Sequence, residues 1–90
     1  MNELDVLYLF YDEMRVRGET RDKVFLSIDD SAVAKINQKL KTAVGFELVH
    51  KLTDICIANE WLERTTADPG YHYLSLTAAG LQVILTTKYT

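Results

Sequence analysis

The stretch WLERTTADPGYHYLSLTAAG, residues 61–80, decides how the chain folds. Segments 61–66 and 71–76 depart from helical periodicity and alternate in the manner of half-buried strands. Between them, Ala-Asp-Pro-Gly at 67–70 carries a Pro-Gly pair that suits the central positions of a type II turn. We therefore predict a two-stranded hairpin in this stretch.

The two faces of the hairpin should differ, because successive side chains of a strand point to opposite sides. If the three leucines at 62, 74 and 76 face the core, the aromatic residues Trp61, Tyr71 and Tyr73 lie on the other face. One interpretation is that Trp61 and Tyr73 form a cross-strand aromatic pair, which stabilises a two-stranded sheet.

Residues 2–17 are predicted to form the first helix, because one set of apolar residues recurs at helical spacing. This set is Leu4, Leu7, Tyr8, Tyr11 and Met14. A second set, Val6, Leu9 and Phe10, points away from it, and a helix that is apolar on two faces is usually buried on both. Either later segments of the chain or a second subunit must cover the extra face. We expect a homodimer with Val6, Leu9 and Phe10 at its interface.

The middle of the chain alternates between helix and strand signals. Gly18 suits the end of the first helix, and the β-favouring residues 23–28 predict a short strand. Asp29, Asp30 and Ser31 can begin a second helix, which places Val33, Ile36 and Leu40 on one face. Gly45 marks the next turn.

A third helix is predicted from about Phe46 to Asn59, with Asn59 as a left-handed stop. Its buried residues should be Leu48 or Val49, together with Leu52, Ile55 and Cys56. Thr77 is expected to cap a final helix that carries Leu81, Ile84 and Leu85 on one face.

Length and composition restrict the class of protein. The 90 residues, 48% of them hydrophobic, are enough for one domain spanning 1–90. No apolar run approaches the roughly 20 residues of a membrane span, and the first residues lack the basic leader of a signal peptide. A single cysteine cannot form a disulfide framework. We expect a cytoplasmic protein with no membrane partner.

Catalytic and metal-binding patterns are lacking. His50, His72 and Cys56 have none of the spacings that metal sites use. Cys56 lies among apolar helix residues and is interpreted as a small buried side chain rather than a nucleophile. There is no phosphate-binding loop or dinucleotide fingerprint. We expect no enzyme, no cofactor and no small-molecule ligand.

Charge is distributed unevenly along the chain. The net charge is −3, yet residues 31–53 hold four lysines and one acid. These lysines are Lys35, Lys39, Lys41 and Lys51. They either solvate helix surfaces or form a basic patch that contacts phosphates.

Two motifs carry a resemblance to a known family. ICIANEWLER, residues 55–64, resembles the end of a winged-helix recognition helix and its exit strand, in which an apolar pair is followed by Glu-Arg. YLSLTAAG, residues 73–80, resembles a second wing strand that runs into the Leu-Thr-x-x-Gly helix start of winged-helix transcription regulators from bacteria and archaea. The resemblance implies an α+β winged helix-turn-helix, ordered helix, strand, helix, helix, hairpin, helix.

The third helix departs from what DNA-binding members of that family present. Bases are read mainly by Arg, Lys, Asn and Gln, and the predicted outward face is poor in them. It comprises Glu47, His50, Lys51 and Asp54, with Ile57 and Ala58 beside them. Glu60 also stands where many relatives carry glycine.

The first functional hypothesis is a homodimeric transcription regulator that binds double-stranded DNA. By resemblance, the first and last helices form the dimer, and the second and third helices plus the wing meet DNA. Lys39, Lys41, Lys51 and Arg64 would contact phosphates, His50 and Lys51 would approach base edges, and Tyr71 would support the wing. Tyr71 or His72 would lie against the nucleic-acid backbone.

The second hypothesis is a non-catalytic module that uses the same fold to bind protein and not DNA. It is motivated by the net acidity, the third-helix face and the surplus apolar residues Val6, Leu9, Phe10 and Ile57. Exposed apolar patches commonly mark protein interfaces.

Overall fold

The computed structural model describes residues 2–67 and 70–88 and contains four α-helices and a two-stranded antiparallel sheet. The predicted α+β class is confirmed at this level. The elements are α1 (Glu3–Arg17), a short 3-10 helix (Arg21–Lys23), α2 (Asp30–Leu40), α3 (Phe46–Ala58), β1 (Leu62–Arg64), β2 (Leu74–Leu76) and α4 (Ala78–Lys88). The predicted turn residues Asp68 and Pro69 lie outside the described residues.

The hairpin strands pair in the register Leu62 with Leu76 and Arg64 with Leu74. The three leucines of the strands are at most 1% exposed, so the prediction that they face the core is confirmed. Trp61 and Tyr73 do not form a cross-strand pair. Trp61 lies at one end of the hairpin, where its carbonyl accepts from Thr77 N, and Tyr73 lies at the other, where its carbonyl accepts from the Thr65 hydroxyl.

The strand predicted at 23–28 is reduced to one bridge, in which Leu26 and Leu74 exchange both backbone hydrogen bonds at 2.9 and 2.8 Å. The next bond joins Ile28 N to Tyr71 O. Between these two contacts the pairing moves two residues along segment 26–28 but three residues along segment 71–74. Tyr73, with φ of +54°, lies in the segment that advances by three. An extra residue of this kind interrupts a β-ladder.

Helix α1 is buried on two sides because it packs against the other three helices and β2. Val6, Leu7 and Phe10 are fully buried within the chain. The prediction that Val6 and Phe10 form a dimer interface is therefore wrong: later segments of the same chain cover them. Leu9 is half-buried and borders a groove between α1 and α2.

Helix termini follow the predicted capping chemistry in most places. Asp29 accepts a hydrogen bond from Ala32 N at the start of α2, and Gly18 ends α1 with φ of +65°. Asn37 joins α2 to the turn before α3, because its side chain bonds both the amide and the carbonyl of Val44. These contacts fix where α3 begins relative to α2.

Helix α3 buries Val49, Leu52 and Cys56 as expected, but Ile55 is 37% exposed instead of buried. Thr53 is buried in the helix, where its hydroxyl donates to Val49 O. The left-handed stop is Glu60, with φ of +62°, and not Asn59.

Helix α4 begins as predicted at Thr77, whose hydroxyl oxygen accepts from Gly80 N and also donates to Glu60 O. The helix passes so close to the segment between α3 and β1 that a Cβ on Gly80 would lie 2.2 Å from the Trp61 carbonyl oxygen. Ile84 is fully buried, and Leu81 and Leu85 are half-buried. Within the described residues, no helix is long and apolar enough to cross a membrane.

Candidate functional site

The hairpin is fastened to α3 by a stack of aromatic rings. The half-buried His50 ring meets Phe46 edge-on, at a centroid distance of 4.2 Å, and stacks on Tyr71 at 3.9 Å with the planes 20° apart. His50 Nε2 lies 3.0 Å from the Ile28 carbonyl oxygen. The Tyr71 hydroxyl donates to Asp54 at 3.0 Å.

This stack bears on the roles expected for two candidate residues. The Nε2 atom of His50, which would have approached a base edge, is directed to Ile28 and enclosed by two rings. The expectation that His50 contacts bases is therefore not met by this geometry. Tyr71 supports the hairpin from α3 and does not extend toward a ligand. Burial, followed by the hydrogen bond to Asp54, raises the pKa of Tyr71, so the hydroxyl keeps its proton and donates.

The sequence pattern did not reveal this stack. A signal for it exists in the spacing of Phe46, His50 and Asp54, which recur every four residues and therefore share one face of α3. Which distant segment that face would meet depends on the tertiary fold, and local periodicity does not specify it.

The basic segment is partly neutralised by α1. Lys35 Nζ lies 3.4 Å from Glu13 Oε1, and Lys39 pairs with Asp12. Lys41 and Lys51 are exposed and have no ion-pair partner within the described residues. Of the lysines predicted to contact phosphates, Lys39 is therefore already paired, and Lys41 and Lys51 are free to interact.

The hairpin contributes Arg64 and His72, which are both exposed. Arg64 Nε donates to the Gly70 carbonyl at 3.3 Å, across the hairpin. The guanidinium thus closes the loop and also presents its charge to solvent.

The solvent-facing side of α3 combines apolar and acidic groups. Leu48 is 40% exposed and Ile55 is 37% exposed, one heptad apart, with Lys51 between them. Glu47 and Asp54 flank this row and are also exposed. We call Leu48, Lys51 and Ile55 the α3 face. Together with its two acidic neighbours it carries one positive and two negative charges, which does not complement a phosphate backbone.

Cys56 is fully buried, and its thiol donates to the Glu3 carbonyl at 3.4 Å. Burial, with a smaller contribution from the Glu3 charge, raises the pKa of this thiol to about 12. A thiol with such a pKa is a poor nucleophile at neutral pH. In the described part of the chain, no group of three or more His, Cys, Asp or Glu side chains could hold a metal ion.

Comparisons of the chain with protein-family models, with curated proteins and with solved structures gave no match.

Proposed function

We propose that the chain is a non-catalytic winged-helix domain that binds another protein through the α3 face. The winged-helix assignment is supported by the element order, with the hairpin directly after α3, and by the Leu26–Leu74 bridge, which adds a third segment to the sheet. In DNA-binding members, the outward side of the third helix carries polar and basic residues. Here Leu48 and Ile55 stand at such positions.

The observation that carries the proposal is the pair of large apolar side chains held at the surface one heptad apart. Leu48 and Ile55 are two helical turns apart on one side of α3, which is the spacing at which a helix anchors in an apolar groove. The intervening Lys51 suits a partner that offers an acidic side chain opposite the middle of the helix. The expected partner surface is therefore an apolar groove with a central carboxylate.

A photo-crosslinking amino acid at position 48 tests this surface in the cell of origin. We expect one discrete adduct with another protein, absent when the crosslinker is at the exposed Gln38 of α2. In the position-48 protein, Ile55→Asp should abolish the adduct, whereas Gln38→Asp should leave it unchanged. Adducts that do not depend on Ile55, or identical adducts from positions 48 and 38, would contradict the proposal.

A second candidate is the homodimeric DNA-binding regulator, favoured by the unpaired charges of Lys41 and Lys51 and by the exposed Arg64. Its test is Lys51→Glu, with Lys23→Glu in the distant 3-10 helix as the control. If DNA is bound, the first variant should weaken binding to all sequences and reduce the salt slope by about one unit. Equal binding by both variants would remove this candidate.

A further inference from the structure

The last turn of α1 presents an isolated apolar side chain between two cations. Val16 is 82% exposed, the most exposed of the large hydrophobic residues in the described chain. Arg15 and Arg17 flank it and are exposed as well. Arg15 lies over the Tyr11 ring at 5.9 Å, and Arg17 Nε contacts Glu13 Oε2 at 3.0 Å, so both stems are held along the helix. We call Arg15, Val16 and Arg17 the Val16 knob.

A groove whose charged residues are acidic lies where α3, β1 and α4 meet. It is a shallow depression of about 520 Å³, open to solvent, and is bordered by apolar side chains and two glutamates. The apolar part is Ile57, Leu62, Ala78 and Ala79, and the exposed acids are Glu60 and Glu63. Thr77 completes the lining, which contains no basic residue. We call this the Glu60 groove.

The backbone at Glu60 supports a role for its carboxylate. Its φ of +62° is a conformation that glycine adopts without steric cost, whereas other residues pay roughly 1–2 kcal/mol. Such outliers often mark functional positions. A side chain at this position adds one of the two negative charges of the groove.

The knob and the groove of one chain cannot meet. The Glu3 carbonyl lies 3.4 Å from Cys56 Sγ, so the start of α1 is next to the end of α3 and to Ile57. Val16 lies thirteen residues further along α1, roughly 20 Å from Glu3, and its side chain is 82% exposed, so it is not seated in the groove of its own chain. A contact between them must therefore be made by two copies of the chain.

We propose that a second copy inserts its Val16 knob into the Glu60 groove. Arg15 and Arg17, on opposite sides of Val16 around the helix, then reach the two glutamates, and Arg17 exchanges Glu13 for one of them. The contact joins two different surfaces, so it is head-to-tail and can continue into a ring or a filament. A knob of three residues buries less than a standard interface, which predicts weak association. This contact is separate from the α3 face and does not depend on it.

Sedimentation velocity across a range of protein and salt concentrations tests the proposal. We expect the average mass of the wild-type chain to rise with concentration and to fall as salt screens the ion pairs. Arg15→Glu/Arg17→Glu, and separately Glu60→Lys/Glu63→Lys, should each weaken association about tenfold or more. Far-UV circular dichroism and thermal melting check that both variants fold.

Mixing the two charge-reversal variants is the decisive experiment. The two variants should associate with each other when combined, because the reversed knob then meets a reversed groove. The control Lys23→Glu/Gln38→Glu changes the charge at two exposed positions elsewhere and should associate as the wild type does. A wild-type chain that stays monomeric at all concentrations would overturn the proposal. Association that neither variant weakens, or that mixing does not restore, would also overturn it.

Discussion

At the residue scale, two backbone positions show most directly how the end of α3 and the start of α4 constrain side-chain choice. At Gly80 an added Cβ would overlap the Trp61 carbonyl, and at Glu60 the chain turns with a positive φ. The first position requires glycine for lack of space, and the second would accept it more easily than glutamate. The sequence motif alone identified the Gly80 position, whereas the physical reason for it is the close approach of α4 to the Trp61 backbone before β1.

Gly80→Ala should destabilise the fold by about 2–3 kcal/mol, because the backbone contact can be relieved only by moving α4. Urea unfolding followed by circular dichroism measures the loss. Gly45→Ala is the control, since a Cβ there meets nothing within 4 Å and its φ is negative, and it should cost much less. Equal losses for the two variants would refute the steric explanation.

Glu60→Gly should stabilise the chain by about 0.5–1 kcal/mol, because release of the left-handed strain exceeds the entropy that glycine adds to the unfolded state. The same urea experiment should show a higher midpoint with an unchanged slope. A lower midpoint would mean that contacts of the Glu60 side chain outweigh the backbone cost.

At the element scale, local patterns predicted the helices and the hairpin, but not how they are joined. Residues close in sequence determine the helix caps at Asp29 and Thr77 and the inward direction of the strand leucines. These features could therefore be predicted from the sequence. The strand predicted at 23–28 forms only one bridge, because Tyr73 with its positive φ interrupts the pairing. A positive φ at one residue leaves no mark in the hydrophobic pattern, so the sequence did not predict it. Similarly, the sequence shows that α1 has a second apolar face. That α3 and α4 bury this face depends on the tertiary fold and could not be predicted locally.

Tyr71→Phe should lower stability by about 0.5–1 kcal/mol at neutral pH, because it keeps the ring on His50 but removes the hydrogen bond to Asp54. Urea unfolding at pH 7 measures this loss, with Tyr73→Phe, at a side chain that is 58% exposed, as the reference tyrosine. No loss at Tyr71 would mean that the hydroxyl bond does not help to hold the hairpin on α3.

The stability of the wild type and that of Tyr71→Phe should depend differently on pH in the alkaline range. The pKa of Tyr71 is raised in the folded state above its ordinary value of 10.0. The stabilising contribution of the protonated Tyr71 hydroxyl is therefore fully present below about pH 10. It is lost as the pH rises through the raised pKa. The wild type should lose stability in this range more steeply than Tyr71→Phe. Parallel profiles for the two proteins would contradict the assignment.

At the scale of the whole molecule, folding changes what the charge pattern means. The lysine-rich segment 31–53 has a net charge of +3 in sequence. In the structure, α1 places Asp12 and Glu13 against Lys39 and Lys35, and so pairs the charge of half of those lysines, although both side chains stay exposed. The composition showed where the lysines are, but it did not show which acids the fold would bring to them.

We expect this domain to bind a protein and not DNA, and a titration of labelled duplex DNA with the wild-type chain tests this most directly. Fluorescence anisotropy is followed at low and at physiological ionic strength. We predict no association that strengthens steeply as salt is lowered, because the α3 face offers one lysine among apolar and acidic side chains. Tight, steeply salt-dependent binding that Lys51→Glu weakens and Lys23→Glu does not would contradict the account.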